Sequence, residues 1–168
     1  MQSKRVLIWE LSGVVFLILV GSLVHFILEG TGCLPLSSAY CSINASVWEH
    51  LSLGFWTLIL FSVLEYFFFI KDEHTYQINN FVLAKALGVL SLQGIILITF
   101  YIYTAFTGKP IVFIDLTSFT VGSMLCQFIS YNTLINTINR RVFLWAGLIL
   151  LVINAVPLMV ICLLNTVN

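Results

Sequence analysis

Five stretches of this 168-residue chain run for more than twenty residues with almost no charge. They fall at about 6–28, 46–70, 81–104, 111–135 and 142–164. Some twenty apolar residues, at about 1.5 Å each along a helix, cover the roughly 30 Å hydrocarbon core of a bilayer. In lipid every backbone N–H and C=O must be satisfied inside the structure, which leaves only helices or a closed barrel. A barrel needs short strands of alternating polarity, and these runs do not alternate. Ile111-Val-Phe-Ile114 has the composition of a strand, but an unpaired strand edge cannot stand in lipid. The expected fold class is therefore all-α: a polytopic integral membrane protein, a five-transmembrane-helix bundle forming a single domain over 1–168.

Charge supports the same conclusion. Only 8% of residues are charged, against roughly 25% in a soluble domain. Too little polar surface remains to coat a globule in water, so the first partner is the lipid bilayer. Seven acidic and seven basic side chains cancel, and no basic block could neutralise a run of phosphates, which argues against nucleic acid. The first run is too long for a signal peptide and is read as a retained helix; Ala39-Tyr-Cys41 resembles a cleavage site but lies too far downstream.

Placing the helices alternately puts Lys4, Arg5, Lys71, Arg140 and Arg141 on one side and Lys109 alone on the other. Positive charge favours the cytoplasm. The amino terminus is then expected inside and the carboxyl terminus outside, in a multi-pass protein of the plasma membrane. Trp9, Trp48 and Trp145 lie near helix ends, as interfacial aromatics do. The linker 30–43 would face the oxidising side, where Cys33 and Cys41 could close a disulfide or remain two thiols. Cys126 and Cys162 fall within helices and read as small packing residues.

Two groups of ionisable residues stand out. At the outer level, His25 and Glu29 are four apart and share a face of the first helix, with Ser22 one turn earlier. Glu49 and His50 open the second helix, and Asp115 opens the fourth. Two imidazoles with carboxylates suit a divalent metal: zinc, iron or manganese. Such a site could make a metal-dependent hydrolase or transferase, with Glu49 or Glu29 as base. Against this, the chain has three histidines and no His-Glu-x-x-His, and His74 is on the opposite side. A haem between His25 and His50 is a further alternative. The plain structural reading makes Ser46-Val-Trp-Glu49 a capping box and each His a hydrogen-bonded helix-end residue.

At the inner level, Glu10, Glu65 and Lys85 fall at similar depth. An isolated charge there is costly, so pairing is expected. The group either fixes helix register, with Lys85 snorkelling to the headgroups, or relays a proton or cation. Between the two levels lie Ser12, Ser62, Gln93, Gln127, Ser130 and Asn154. Asp115, Ser118, Gly122 and Cys126 follow one face of the fourth helix, and Gly13 and Gly21 mark close contacts on the first.

The segments Trp9-Glu10, His25 with Glu29, Asn44-Ala-Ser-Val-Trp-Glu-His50, Ala84-Lys-Ala-Leu-Gly88, Asp115 with Phe119 and Gly122, and Ser130-Tyr131 together resemble an uncharacterised family of small bacterial multi-spanning membrane proteins, a domain of unknown function. The resemblance covers nearly the whole chain. The Asn-x-Ser-Val-Trp-Glu-His stretch is its most specific part. It implies a membrane fold and no established activity. Members of that family continue past the last helix into a Pro-rich tail with a His and an Asp. If that tail completes the outer site in those members, the site here, where the sequence stops at Asn168, is expected to be more open or altered; Cys33 and Cys41 look particular to this chain.

The expected function is thus an integral membrane protein of unassigned activity with a polar, metal-suited site near the extracytoplasmic face. The alternatives are a small ion-coupled transporter and an accessory subunit that binds a membrane partner. Five helices without an inverted repeat are a thin scaffold for alternating access unless the chain forms a homo-oligomer.

Overall fold

The structure is a computed structural model describing residues 2–31, 43–70, 78–135 and 141–167. The side chains of 2–3, 25–31, 43–46, 49, 69–70 and 160–167 are outside the described set. Among the described residues five α-helices follow one another: α1 Gln2–Thr31, α2 Ile43–Glu65, α3 Ile78–Thr107, α4 Val112–Ile135 and α5 Arg141–Val167. All five are long and apolar enough to cross a membrane. Among the described residues there is no strand, and Val112–Ile114 belongs to the first turn of α4.

Most of the helices outrun the apolar stretches that signal them. An apolar run marks where hydrocarbon begins, whereas backbone hydrogen bonding carries a helix on into the interface. α2 is already helical at Ile43, three residues before Ser46. Ser46 therefore lies inside the first turn rather than capping it, which corrects the capping-box reading of Ser46 and Glu49. At its other end α2 passes into a π-helical turn, Tyr66–Ile70, immediately after Glu65.

α3 and α4 form a tight hairpin. Gly108 adopts φ 67°, the left-handed conformation that closes a helix, and its N–H donates to the Thr104 carbonyl at 2.8 Å. The Ile111 carbonyl accepts the first bonds of α4, from the Ile114 and Asp115 amides. This short connection sets the last turn of α3 against the first turn of α4.

α3 is the central helix: it packs along α4 and α5 and against α2, while α1 packs on α4 and α2. The core gathers Leu17, Leu51, Phe55, Leu58, Leu92, Phe100 and Phe119. Gly147 brings α5 against the backbone of Val82 and Leu83. Which face of a helix turns inward is not decided by hydrophobicity, because lipid is as apolar as Leu; small and polar residues mark the packed face. α1 shows this plainly. Leu7, Ile8, Leu11, Val15, Leu19 and Leu23 point out, and Val6, Glu10, Gly13, Leu17 and Gly21 point in.

The α1–α4 pair has a regular antiparallel register. Gly21 lies under the Phe119 ring, Gly13 under the Gln127 amide and the Phe61 ring, and Glu10 meets Ser130. Each step along α1 is matched by an equal step back along α4. Continued one turn past Gly21, that register brings His25 on α1 level with Asp115 on α4.

Candidate functional site

The inner charges form one buried group drawn from four helices. Lys85 of α3 is 2% exposed. Its Nζ donates to Glu10 Oε1 of α1 at 2.9 Å and Oε2 at 3.2 Å. It also stands 2.6 Å from Glu65 Oε2 of α2, an ion pair by distance though not aligned as a hydrogen bond. Ser130 of α4 donates to Glu10 Oε1 at 2.9 Å. The Phe61 and Phe81 ring centroids lie 5.6 and 5.5 Å from the ammonium and add cation–π attraction. Enclosed in this way, Lys85 does not snorkel, and that expectation is corrected. The reason is energetic: withdrawing the ammonium to the headgroups would leave two buried carboxylates without their counter-charge.

The composition of the group matters more than its compactness. Two carboxylates share one ammonium. Glu65 is fully buried and its Oε1 has no hydrogen-bond partner. Glu10 is saturated while Glu65 is held at one oxygen, so the two acids are not equivalent.

At the other end of the helices, a cleft is lined by Gly21, Ser22, His50, Leu53, Val112, Asp115, Leu116 and Phe119. Its cavity of about 50 Å³ has room for a few water molecules. Asp115 lies in the first turn of α4, where a carboxylate suits the helix dipole. It accepts a hydrogen bond from the Tyr103 hydroxyl at 2.6 Å, and the same hydroxyl accepts from the Ile111 amide at 3.2 Å. Tyr103 therefore ties Asp115 and the start of α4 to the end of α3.

His50 and Asp115, two of the five outer candidates, thus line one cleft. His25, Glu29 and Glu49 fall on α1 and α2 near it, but their side chains lie outside the described residues. Cys33 and Cys41 are outside them altogether. Among the described residues no three His, Cys, Asp or Glu side chains form a group able to hold a metal.

A family model matches residues 1–167. The chain belongs to DUF6512, a family of unknown function. No curated protein and no solved structure matches it. Membership in an uncharacterised family is what the sequence resemblance implied. For this DUF6512 chain, the site has to be read from geometry.

The structure also sorts the polar residues between the two levels. Ser12 is on the outer face and donates to the Trp9 carbonyl. Ser62 and Asn154 donate to carbonyls of their own helices, Leu58 and Leu150. Such local bonds satisfy a polar side chain in lipid without a partner helix. Ser118 does the same, donating to the Asp115 carbonyl. Ser123 and Gln127 do not. Both are buried, and the Ser123 hydroxyl and both Gln127 amide atoms have no hydrogen-bond partner.

Tyr103 and Ser123 are the residues that sequence reasoning missed. Tyr103 had a legible signal. It lies just over a turn before the end of α3, Asp115 lies in the first turn of α4, and a short connection between antiparallel helices brings those two turns together. Ser123 had none, since serines on helices usually bond their own backbone.

Proposed function

We propose that this chain is an ion-coupled transporter of the plasma membrane, with Glu10, Lys85 and Glu65 as its coupling site. The observation that carries the reading is the second carboxylate. One carboxylate with Lys85 makes a neutral pair. The other is neutral only with a proton or a small cation bound, and a bilayer interior strongly disfavours leaving it bare. Gain and loss of that ion switches a buried site between two charge states, which is what coupling requires. The His50–Asp115 cleft is its outward entrance. The amino terminus lies in the cytoplasm, with Lys4, Arg5, Lys71, Arg140 and Arg141 on that side. A second copy, or a membrane partner, completes the scaffold around the single domain.

The test is charge movement in proteoliposomes on a solid-supported membrane after jumps of pH, Na⁺ or K⁺. Wild type should respond to one of them, and Glu65→Gln should abolish the response while the protein still reconstitutes. Silence of the wild type to all three jumps sinks the reading.

A divalent metal in the outer cleft is a second reading. It is favoured by His50 and Asp115 lining the same cleft and by the α1–α4 register, which carries His25 to the level of Asp115. Its ligands are His25, Glu29, Glu49, His50 and Asp115, and its metal is zinc, iron or manganese. Metal content of purified protein beside a His25→Ala/His50→Ala variant decides it: stoichiometric metal lost in the variant supports the site. No metal in either after reloading removes it.

A further inference from the structure

We infer that a file of buried water runs along the α1–α4 seam past Ser123 and Gln127, from the His50–Asp115 cleft to Glu10, and that the ion it delivers is a proton. This rests on the coupling role proposed above for Glu10, Lys85 and Glu65.

The first support is the pair of orphaned polar side chains. Gln127 is 2% exposed and Ser123 0%, and neither makes a hydrogen bond. Leaving a buried amide or hydroxyl unsatisfied forfeits the hydrogen bonds it made to water, and native interiors satisfy such groups with protein or with water. Ser62, Thr104 and Ser118 show how easily a short hydroxyl in this bundle finds its own helix carbonyl. Ser123 forgoes that bond. Gln127 lies over Gly13 and beside Phe61, where even one added methyl group would collide with its amide. The glycine is thus the residue that admits the amide into the seam.

The second support is placement. Ser130 follows Gln127 by three residues and donates to Glu10; Ser123 precedes it by four. Asp115 lines the cleft. From Asp115 to Ser130 the helix rises about 22 Å, most of the thickness of the hydrocarbon core. Ser123 falls near the middle of that distance, and Gln127 lies about 4.5 Å short of Ser130. Phe119, seated on Gly21, is the apolar step between the cleft and Ser123.

Chemistry selects the ion. The orphaned groups offer two neutral oxygens, Ser123 Oγ and Gln127 Oε1, together with an amide donor. Hard metal cations take about six oxygens and are repelled by an N–H. Water both donates and accepts and can satisfy all three atoms. Along such a file, each water oxygen accepts a proton on one side and releases one on the other. The last hop forms an O–H bond on a carboxylate of the Glu10–Lys85–Glu65 group. One proton enters for each one bound, and no electrons change hands.

The experiment uses the full chain in proteoliposomes with Cys33, Cys41 and Cys162 replaced by alanine. Ser123→Cys and Gln127→Cys are introduced singly and exposed to Ag⁺, a water-sized thiol reagent. Cys126 stays as the dry control, because it is fully buried in the α3–α4 contact against Gly88. Both new thiols should react at least about tenfold faster than Cys126, since only a hydrated thiol ionises and binds the metal readily. Ser123→Cys changes one atom, so its folding is secure even if Gln127→Cys fails. Thiols as slow as Cys126 overturn the water file. If they stay slow while Glu65→Gln still abolishes charge movement, the coupling site stands and only the file is wrong. A wild type driven by Na⁺ or K⁺ jumps but not by pH overturns the proton assignment. Reactive thiols with a pH response lost in Gln127→Leu establish the inference.

Discussion

The inner charge group and the outer cleft hold acidic side chains at opposite ends of the same bundle, and they are built in opposite ways. Glu10, Glu65, Lys85 and Ser130 come from four different helices and are all buried. None of α1 to α4 can shift without disturbing a contact to a charged group there. Asp115 and Tyr103 are neighbours across one hairpin, and the cleft beside them is open enough to hold water. The difference teaches where electrostatics sets structure and where it leaves room. At the inner level the charges must be paired before the helices can pack. At the outer level local hydrogen bonds hold the hairpin and leave His50 and Ser22 facing a cavity.

The sharpest way to break this contrast is Lys85→Met. It strands two carboxylates in the bundle, and breaking a buried pair costs about 3–5 kcal/mol. The unfolding midpoint in detergent should fall further than for any outer-cleft variant; a smaller loss than Tyr103→Phe would mean the inner group is not structural. Next comes Gly13→Ala. Its methyl group meets the Gln127 amide and the Phe61 ring, and overpacking of that kind costs about 1–3 kcal/mol. Thermal unfolding beside Gly21→Ala, at the Phe119 contact, shows whether the seam is tighter at the inner or the outer end, and we expect the inner.

Tyr103→Phe removes a donor to Asp115 and an acceptor for the Ile111 amide. A loss of about 1–2 kcal/mol is expected for such bonds, with faster hydrogen exchange at the Ile111 amide as its local signature. No change in that exchange would show that the tyrosine does not hold the hairpin. The smallest structural effect belongs to Glu65→Gln. A neutral Glu10–Lys85 pair remains, so the stability should change by less than about 1 kcal/mol while ion-driven charge movement disappears. Full stability with full charge movement would assign the coupling ion elsewhere.

Much of this was legible beforehand, for reasons tied to particular residues. The five helices followed from run length, because the bilayer admits few backbone solutions. Pairing of Glu10, Glu65 and Lys85 followed from the cost of an isolated charge in lipid. The fate of Lys85 did not: whether its stem snorkels or stays inside depends on where both carboxylates point, which no spacing encodes. Ser62 and Ser123 look equivalent in sequence. One bonds its own helix, and the other is buried without a partner. The reading of Ser46 as a helix cap failed because α2 begins a turn earlier than its apolar run.

Length and polarity along the chain, then, determined that it is a membrane-spanning bundle of five helices and that its buried charges must meet. Only the tertiary structure decided which acid is saturated and which is left with a bare oxygen, that His50 and Asp115 share a cleft, and that Gln127 lies unpartnered over Gly13. The reason is that lipid imposes its demand on every helix separately, through the backbone, so sequence carries it. Contacts between helices depend on axial register and rotation, which α1 and α4 fix only by packing against each other.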